Sequence, residues 1–156
     1  MKTLVLGVGN PILSDDSAGC RVAQALKCRF AEDQVTVFET SRNWLDILDL
    51  LPGYEKAIII DGIQTKQGKV GEVYRLTPEE FDAGAYAISP HHINFGGALK
   101  VGKRLGMALP QEIVIFAIEV VDVTTWSENC TSGVELAIQV CAEMVIQELE
   151  HACSKY

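Results

Sequence analysis

From Lys2 to Val8 the chain reads KTLVLGV, then turns through Gly9-Asn10-Pro11. A strand with one wet face alternates apolar and polar residues. A continuous apolar run bounded by glycine is instead the pattern of a strand buried on both faces of a parallel sheet. Parallel strands need crossover helices, and the following sequence offers them. Ala18, Val22, Ala25 and Leu26 recur at helical spacing, with Phe30 one turn further. Val35 to Phe38 reads as a second strand, Trp44 to Leu51 as a short helix stopped by Pro52-Gly53, and Ala57 to Ile60 as a third strand closing on Asp61. Beyond this βαβαβ half, Glu72 to Leu76 alternates like an edge strand, and Thr77-Pro78-Glu79-Glu80 is a good helix start. Ser89-Pro90 opens a helix expected to reach about Arg104, and Ile113 to Ile118 is a strand. Val134, Ile138, Cys141, Val145 and Leu149 stripe a last helix, leaving Glu119 to Ser132 as the long loop. The expected fold is α/β, a three-layer α/β/α sandwich with a mainly parallel twisted sheet. Its site is expected beyond the carboxyl ends of the strands.

At 156 residues and 48% hydrophobic content, one domain spanning 1–156 is the expectation. Lys and Arg total 13 against 21 Asp and Glu, a formal charge of −8. That balance opposes a sequence-independent hold on nucleic acid or anionic membrane. Five cysteines without a C-x-x-C pair suggest neither a disulfide framework nor a zinc knuckle. They read as small buried hydrophobes in a reducing compartment. The apolar opening is too short for a signal peptide, so a cytoplasmic location is expected.

Gly7-Val8-Gly9 after a first strand, with Glu39 ending the second, suits a dinucleotide or S-adenosylmethionine site. Two features oppose it: Ile12 stands where a third glycine belongs, and Asp15-Asp16 stand at the helix start a pyrophosphate would occupy. No organic cofactor is therefore expected. One of the two aspartates needs no role beyond capping the helix. The other has company, because Asp61 ends the third strand and first and third strands commonly lie side by side in such sheets. Asp61-Gly62 also suits an ordinary turn. With Ser89 as cap and Pro90 at the first helical position, His91 and His92 fall in a first turn, whose positive end favours a neutral, ligating imidazole. Neighbours on a helix point about 100° apart, so only one of them can face a crevice. Two carboxylates and one imidazole from separate elements make an incomplete coordination sphere with positions open for water or substrate.

The stretch LGVGNPILSDDSAGCRVAQAL resembles the signature of the hydrogenase maturation endopeptidases: a strand, G-x-G-N, a short apolar stretch, D-[DE], then x-x-G opening a helix. Asp61 after AIII is similar to that family's second acidic position, ISPHHINFGGAL to its histidine segment, and ENCTSGVELAI to its closing segment. The resemblance implies Asp16, Asp61 and His91 as catalytic and metal-binding residues, with His92 pointing elsewhere. Gly7, Gly9 and Asn10 would shape the loop presenting Asp16, and Asp15 would cap the helix or support its neighbour. It further implies an endopeptidase that removes the C-terminal extension of a [NiFe] hydrogenase large-subunit precursor, the nickel arriving with that substrate. Whether the metal acts as Lewis acid or a carboxylate as general base is open at this stage. A non-catalytic nickel-binding chaperone would use the same ligands. The chain departs from the family pattern at Glu39-Thr40-Ser41-Arg42-Asn43-Trp44, which lacks a glycine-rich stretch, and at Ala117-Ile118-Glu119-Val120, where glycine and proline are common. A third departure is the choice of aspartate rather than glutamate at Asp16.

Overall fold

The structure, a computed structural model, describes residues 1–85 and 94–153. Strand β1 (Thr3–Val8) is buried along its whole length, as its unbroken apolar sequence requires. It lies between β2 (Val35–Thr40) and β3 (Lys56–Ile63), parallel to both. β5 (Glu112–Glu119) adds in parallel to β3. β4 (Val73–Leu76) closes the sheet as an antiparallel edge, giving the order β2-β1-β3-β5-β4.

One face of the sheet carries α1 (Ala18–Leu26) and α5 (Ser132–Cys153). Val5, Ile58, Ile60 and Phe116 pack there against Val22, Leu26 and the predicted stripe Val134, Ile138, Cys141, Val145 and Leu149. The other face carries α2 (Trp44–Ile47), α3 (Pro78–Gly84) and α4 (Phe95–Arg104) over Leu4, Leu6, Ile59 and Ile115. Trp44 stacks on Phe95 at 4.6 Å and meets Phe81 edge-on at 5.9 Å, tying those three short helices together. Thr77 and Glu80 cap α3 reciprocally, with Pro78 at its start. Among the described residues no helix is long and apolar enough to cross a membrane.

Several expectations need correction. α1 stops at Leu26 and buries Ala23 rather than Ala25, which is exposed. Phe30 packs against the core from beyond the helix end. The helix expected over Trp44 to Leu51 is one α turn continued as a 3-10 turn at Leu48–Leu50. The helix expected from Pro90 begins at Phe95, because Asn94 is extended and its side chain accepts the Gly97 N–H at 2.8 Å. Asp82 of α3 accepts the Phe95 and Gly96 N–H groups at 3.2 and 2.7 Å. The orphan donors of that helix start are thus met by Asn94 and by a residue from another helix. Ser89, Pro90, His91 and His92 lie outside the described residues. Nor are all the cysteines core residues. Cys20 and Cys141 are buried, but Cys28 is exposed and Cys130 half-buried.

Candidate active site

β1 delivers the chain to the carboxyl edge of the sheet, and glycine decides what happens next. Gly9 sits at φ +148, a conformation side chains rarely adopt, and a Cβ there would collide with the Asp16 carbonyl oxygen. At Gly7 a Cβ would strike the Gly19 carbonyl, so α1 packs directly on the strand. The Asn10 N–H donates to Asp16 Oδ2 at 3.0 Å, and Asn10 Oδ1 accepts the Ile12 N–H at 3.2 Å. The loop therefore folds back on itself and fixes Asp16 within the short 3-10 turn Ser14–Ser17.

Asp61 arrives independently. Gly7 of β1 pairs with Ile60 of β3, placing the next residue of β3 beside the Gly7-Gly9 loop. Asp16 and Asp61 line one crevice of about 430 Å³ with Asn10, Ser41, Arg42 and Trp44. Asp16 also borders an adjoining hollow of about 200 Å³ formed by Gly62, Phe81, Val120 and neighbours. Burial, followed by the charge of Asp16, holds the Asp61 carboxyl well above the usual aspartate range, although the Gly62 N–H donates to it at 2.8 Å. Burial also raises Asp16, opposed by the Asn10 N–H. Burial and the repulsion between two close carboxylates both oppose full ionisation of the pair, which favours a state holding one proton between them. Arg42 is the one cation among the described residues lining the larger crevice.

Cys20 lies under this site, its Sγ 3.4 Å from the Gly9 carbonyl. Burial and the charges of Glu39, Asp61 and Asp16 push its thiol up to about 11. A thiol so far from ionisation is a poor nucleophile at neutral pH. Glu39, the candidate ribose ligand, is engaged elsewhere, accepting from Lys27 Nζ at 2.6 Å and Gln24 Nε2 at 2.9 Å.

Asp15 neither caps a helix nor faces the crevice. It is fully buried, and its carboxylate accepts the Val121 and Asp122 N–H groups at 3.1 and 3.0 Å. On its other side Thr131 donates from N–H at 2.7 Å and from Oγ1 at 3.0 Å. One side chain thus fastens both ends of the loop between β5 and α5. Glu119, the last residue of β5, plays a comparable part by accepting from the Thr65 N–H and hydroxyl. Sequence reasoning missed Arg42 and Trp44 at the crevice and the bracing roles of Asp15 and Glu119. The acidic doublet was the available signal for Asp15, but its partners lie more than a hundred residues away.

His91 lies outside the described residues. Among those described, no three His, Cys, Asp or Glu side chains form a group able to hold a metal ion. Two carboxylates with no ion-pair partner among the described residues do suit an incoming cation, which would relieve their repulsion and the cost of ionising Asp61.

A doubly wound α/β protein with paired carboxylates at the carboxyl edge of its sheet is the class defined by these features. Comparison with known proteins narrows it. The profile of the hydrogenase maturation protease family matches residues 20–148, and the chain belongs to that family. It is 27% identical to the hydrogenase 2 maturation protease of Escherichia coli strain K12, over 97% of this chain and 93% of that one. It is 26% identical to the hydrogenase expression/formation protein HupD of Bradyrhizobium diazoefficiens, covering 91% of this chain and 79% of the other. The solved structure of the hydrogenase maturating endopeptidase HybD from E. coli superposes with a TM-score of 0.82 at 27% identity, covering 97% and 94% of the two chains. The protein is accordingly a peptidase of the maturation type, with the expected mostly parallel α/β fold.

Proposed function

We propose that the chain removes the C-terminal extension of a [NiFe] hydrogenase large-subunit precursor after nickel has been inserted. The observation that carries this reading is the convergence of Asp16 and Asp61, from two separate elements, in one crevice, with no ion-pair partner among the described residues. The nickel centre is part of the substrate. Asp16 and Asp61, with His91 as the third ligand that the family resemblance implies, meet that metal and set the tail across the crevice. A site of two carboxylates and one imidazole is a modest hold for nickel when the precursor's own thiolates offer softer ligands. The enzyme needs no tightly bound metal of its own.

For peptide cleavage, the ionised member of the Asp16–Asp61 pair accepts a proton from water, and the protonated member donates toward the scissile carbonyl or leaving amide. The Cys20 thiol takes no part. The test is tail release, followed by mass spectrometry, from matched precursors that are metal-free, nickel-loaded or zinc-substituted. Cleavage of the nickel form alone is expected. Equal cleavage of all three would falsify the nickel-reading step, and binding without any cleavage would leave a chaperone.

A further inference from the structure

The loop joining β5 to α5 exposes a large aromatic residue in a place where flexibility would be expected and bracing is found. Trp126 is 75% exposed, with Val121 at 55% and Ile12 at 42%. These three side chains belong to two segments laced together by the backbone. The Ser127 N–H donates to the Ile12 carbonyl at 3.0 Å, the Ser14 N–H to the Ser127 carbonyl at 2.9 Å, and the Asp15 N–H to the Asp122 carbonyl at 2.8 Å. Leu13 and Ser127 form a parallel bridge. The buried Asp15 carboxylate then holds Val121, Asp122 and Thr131. An apolar rim is thus presented by a loop already ordered before any partner arrives. Such a rim binds with little further loss of conformational freedom, and tryptophan is the residue type most enriched at energetic centres of interfaces.

The rim is continuous with the site. Ile12 lies four residues before Asp16, and Val120 and Val123 of the same loop line the hollow that Asp16 borders. A crevice of about 430 Å³ accommodates only a few side chains, whereas a specific protein complex covers roughly 800 Å² on each partner. Additional surface must therefore do the discriminating. Resting on the function proposed above, we infer that Trp126, Val121 and Ile12 dock the folded body of the precursor beside the point where its tail emerges. Asp122 and Glu128 flank Trp126 in a chain of charge −8. The complementary surface is an apolar hollow edged by Lys or Arg.

The experiment measures both affinity for the nickel-loaded precursor, by biolayer interferometry, and the kinetics of tail release. Wild type is compared with Trp126→Ala, Trp126→Phe and Leu105→Ala. Leu105 is 73% exposed and follows α4 at the opposite end of the sheet, so its replacement controls for general loss of exposed apolar surface. Trp126→Ala is expected to weaken binding and raise KM roughly tenfold with kcat held within about twofold, since it touches neither Asp16 nor Asp61. Trp126→Phe should recover part of the loss and Leu105→Ala should match wild type. Precursor affinity unchanged in Trp126→Ala overturns the docking surface, as does a fall in kcat alone. So does a wild-type dimer in sedimentation that Trp126→Ala dissociates, because a second copy would then be the occupant. Wild type that binds precursor through Trp126 yet never cuts it would overturn the peptidase reading and leave the docking surface standing.

Discussion

Asp61 illustrates how a single side chain can be legible in position and illegible in behaviour. An acidic residue closing an apolar run points to a crevice, but its resistance to ionisation arises from burial and from the Asp16 charge, both supplied by the fold. The consequence for stability has a definite sign. Below about pH 3.9, the ordinary aspartate value, folded and unfolded chains both hold the proton and Asp61 costs nothing. As pH rises through the higher folded value, the folded state resists losing a proton that the unfolded state gives up freely, and stability falls. Asp61→Asn removes that penalty while keeping an oxygen for the Gly62 N–H. Its melting temperature should exceed that of wild type at pH 7, and the gain should vanish near pH 4. Calorimetry at the two pH values checks this, and the same variant should lose tail release altogether. A gain that persisted at pH 4 would place its origin outside the titration of Asp61.

At the scale of elements, adjacent residues of one doublet are divided between unrelated tasks. Asp16 belongs to the loop after β1, whereas Asp15 belongs functionally to the loop after β5, which its carboxylate closes. Asp15→Asn keeps the volume but replaces a charged acceptor of three backbone N–H groups and a hydroxyl by a neutral group with one acceptor oxygen. Hydrogen bonds to charged groups contribute about 1.5–3 kcal/mol each, so a net loss of roughly 3 kcal/mol is expected. Hydrogen exchange should accelerate at Val121, Asp122 and Thr131 well before global unfolding, while the amides of β1 keep their protection. Uniform acceleration across the sheet would mean that the loop is not a separately fastened unit. The same division of labour explains α4. Ser89-Pro90 is a good local start signal, yet the helix begins where Asp82 of α3 and Asn94 together meet its first N–H groups.

For the whole molecule, the two ends of the sheet carry opposite electrostatic designs. At the carboxyl end, Asp16 and Asp61 have no ion-pair partner among the described residues, and the amino end holds a closed network. Lys56 is buried with its Nζ 3.0 Å from Glu112 and 2.7 Å from Glu148, and Arg75 reaches Glu148 at 2.8 Å. Hydrogen bonds from Arg75 and Lys56 bring the Glu148 carboxyl down to about 2. Its contribution is therefore present above about pH 4.3, the ordinary glutamate value, and is lost as pH falls toward the folded value. Glu148→Gln leaves Lys56 with only the exposed Glu112 and should cost about 3 kcal/mol at neutral pH, as removing one partner of a buried pair does. That deficit, read from urea titrations, should shrink below pH 3. Tail release by the folded fraction should be unchanged, since the network lies at the end of the sheet away from Asp16.

Much of this protein is written in local pattern. An apolar run without alternation can only be a strand covered on both faces, and glycine where a Cβ would meet Asp16 or Gly19 fixes the turn that follows. Those constraints, repeated through the third strand, placed one member of the Asp15-Asp16 doublet and Asp61 at the same edge of the sheet, and the choice of Asp16 came from the family resemblance. Tertiary structure decided what spacing cannot encode. It buried Asp15 among donors from residues 121–131, exposed Cys28, and started α4 at Phe95. It also braced the backbone of the loop that presents Trp126 to solvent. In each case the determining partner is distant along the chain. A sequence pattern registers the periodicity of one element, whereas burial, charge coupling and loop closure depend on which elements meet.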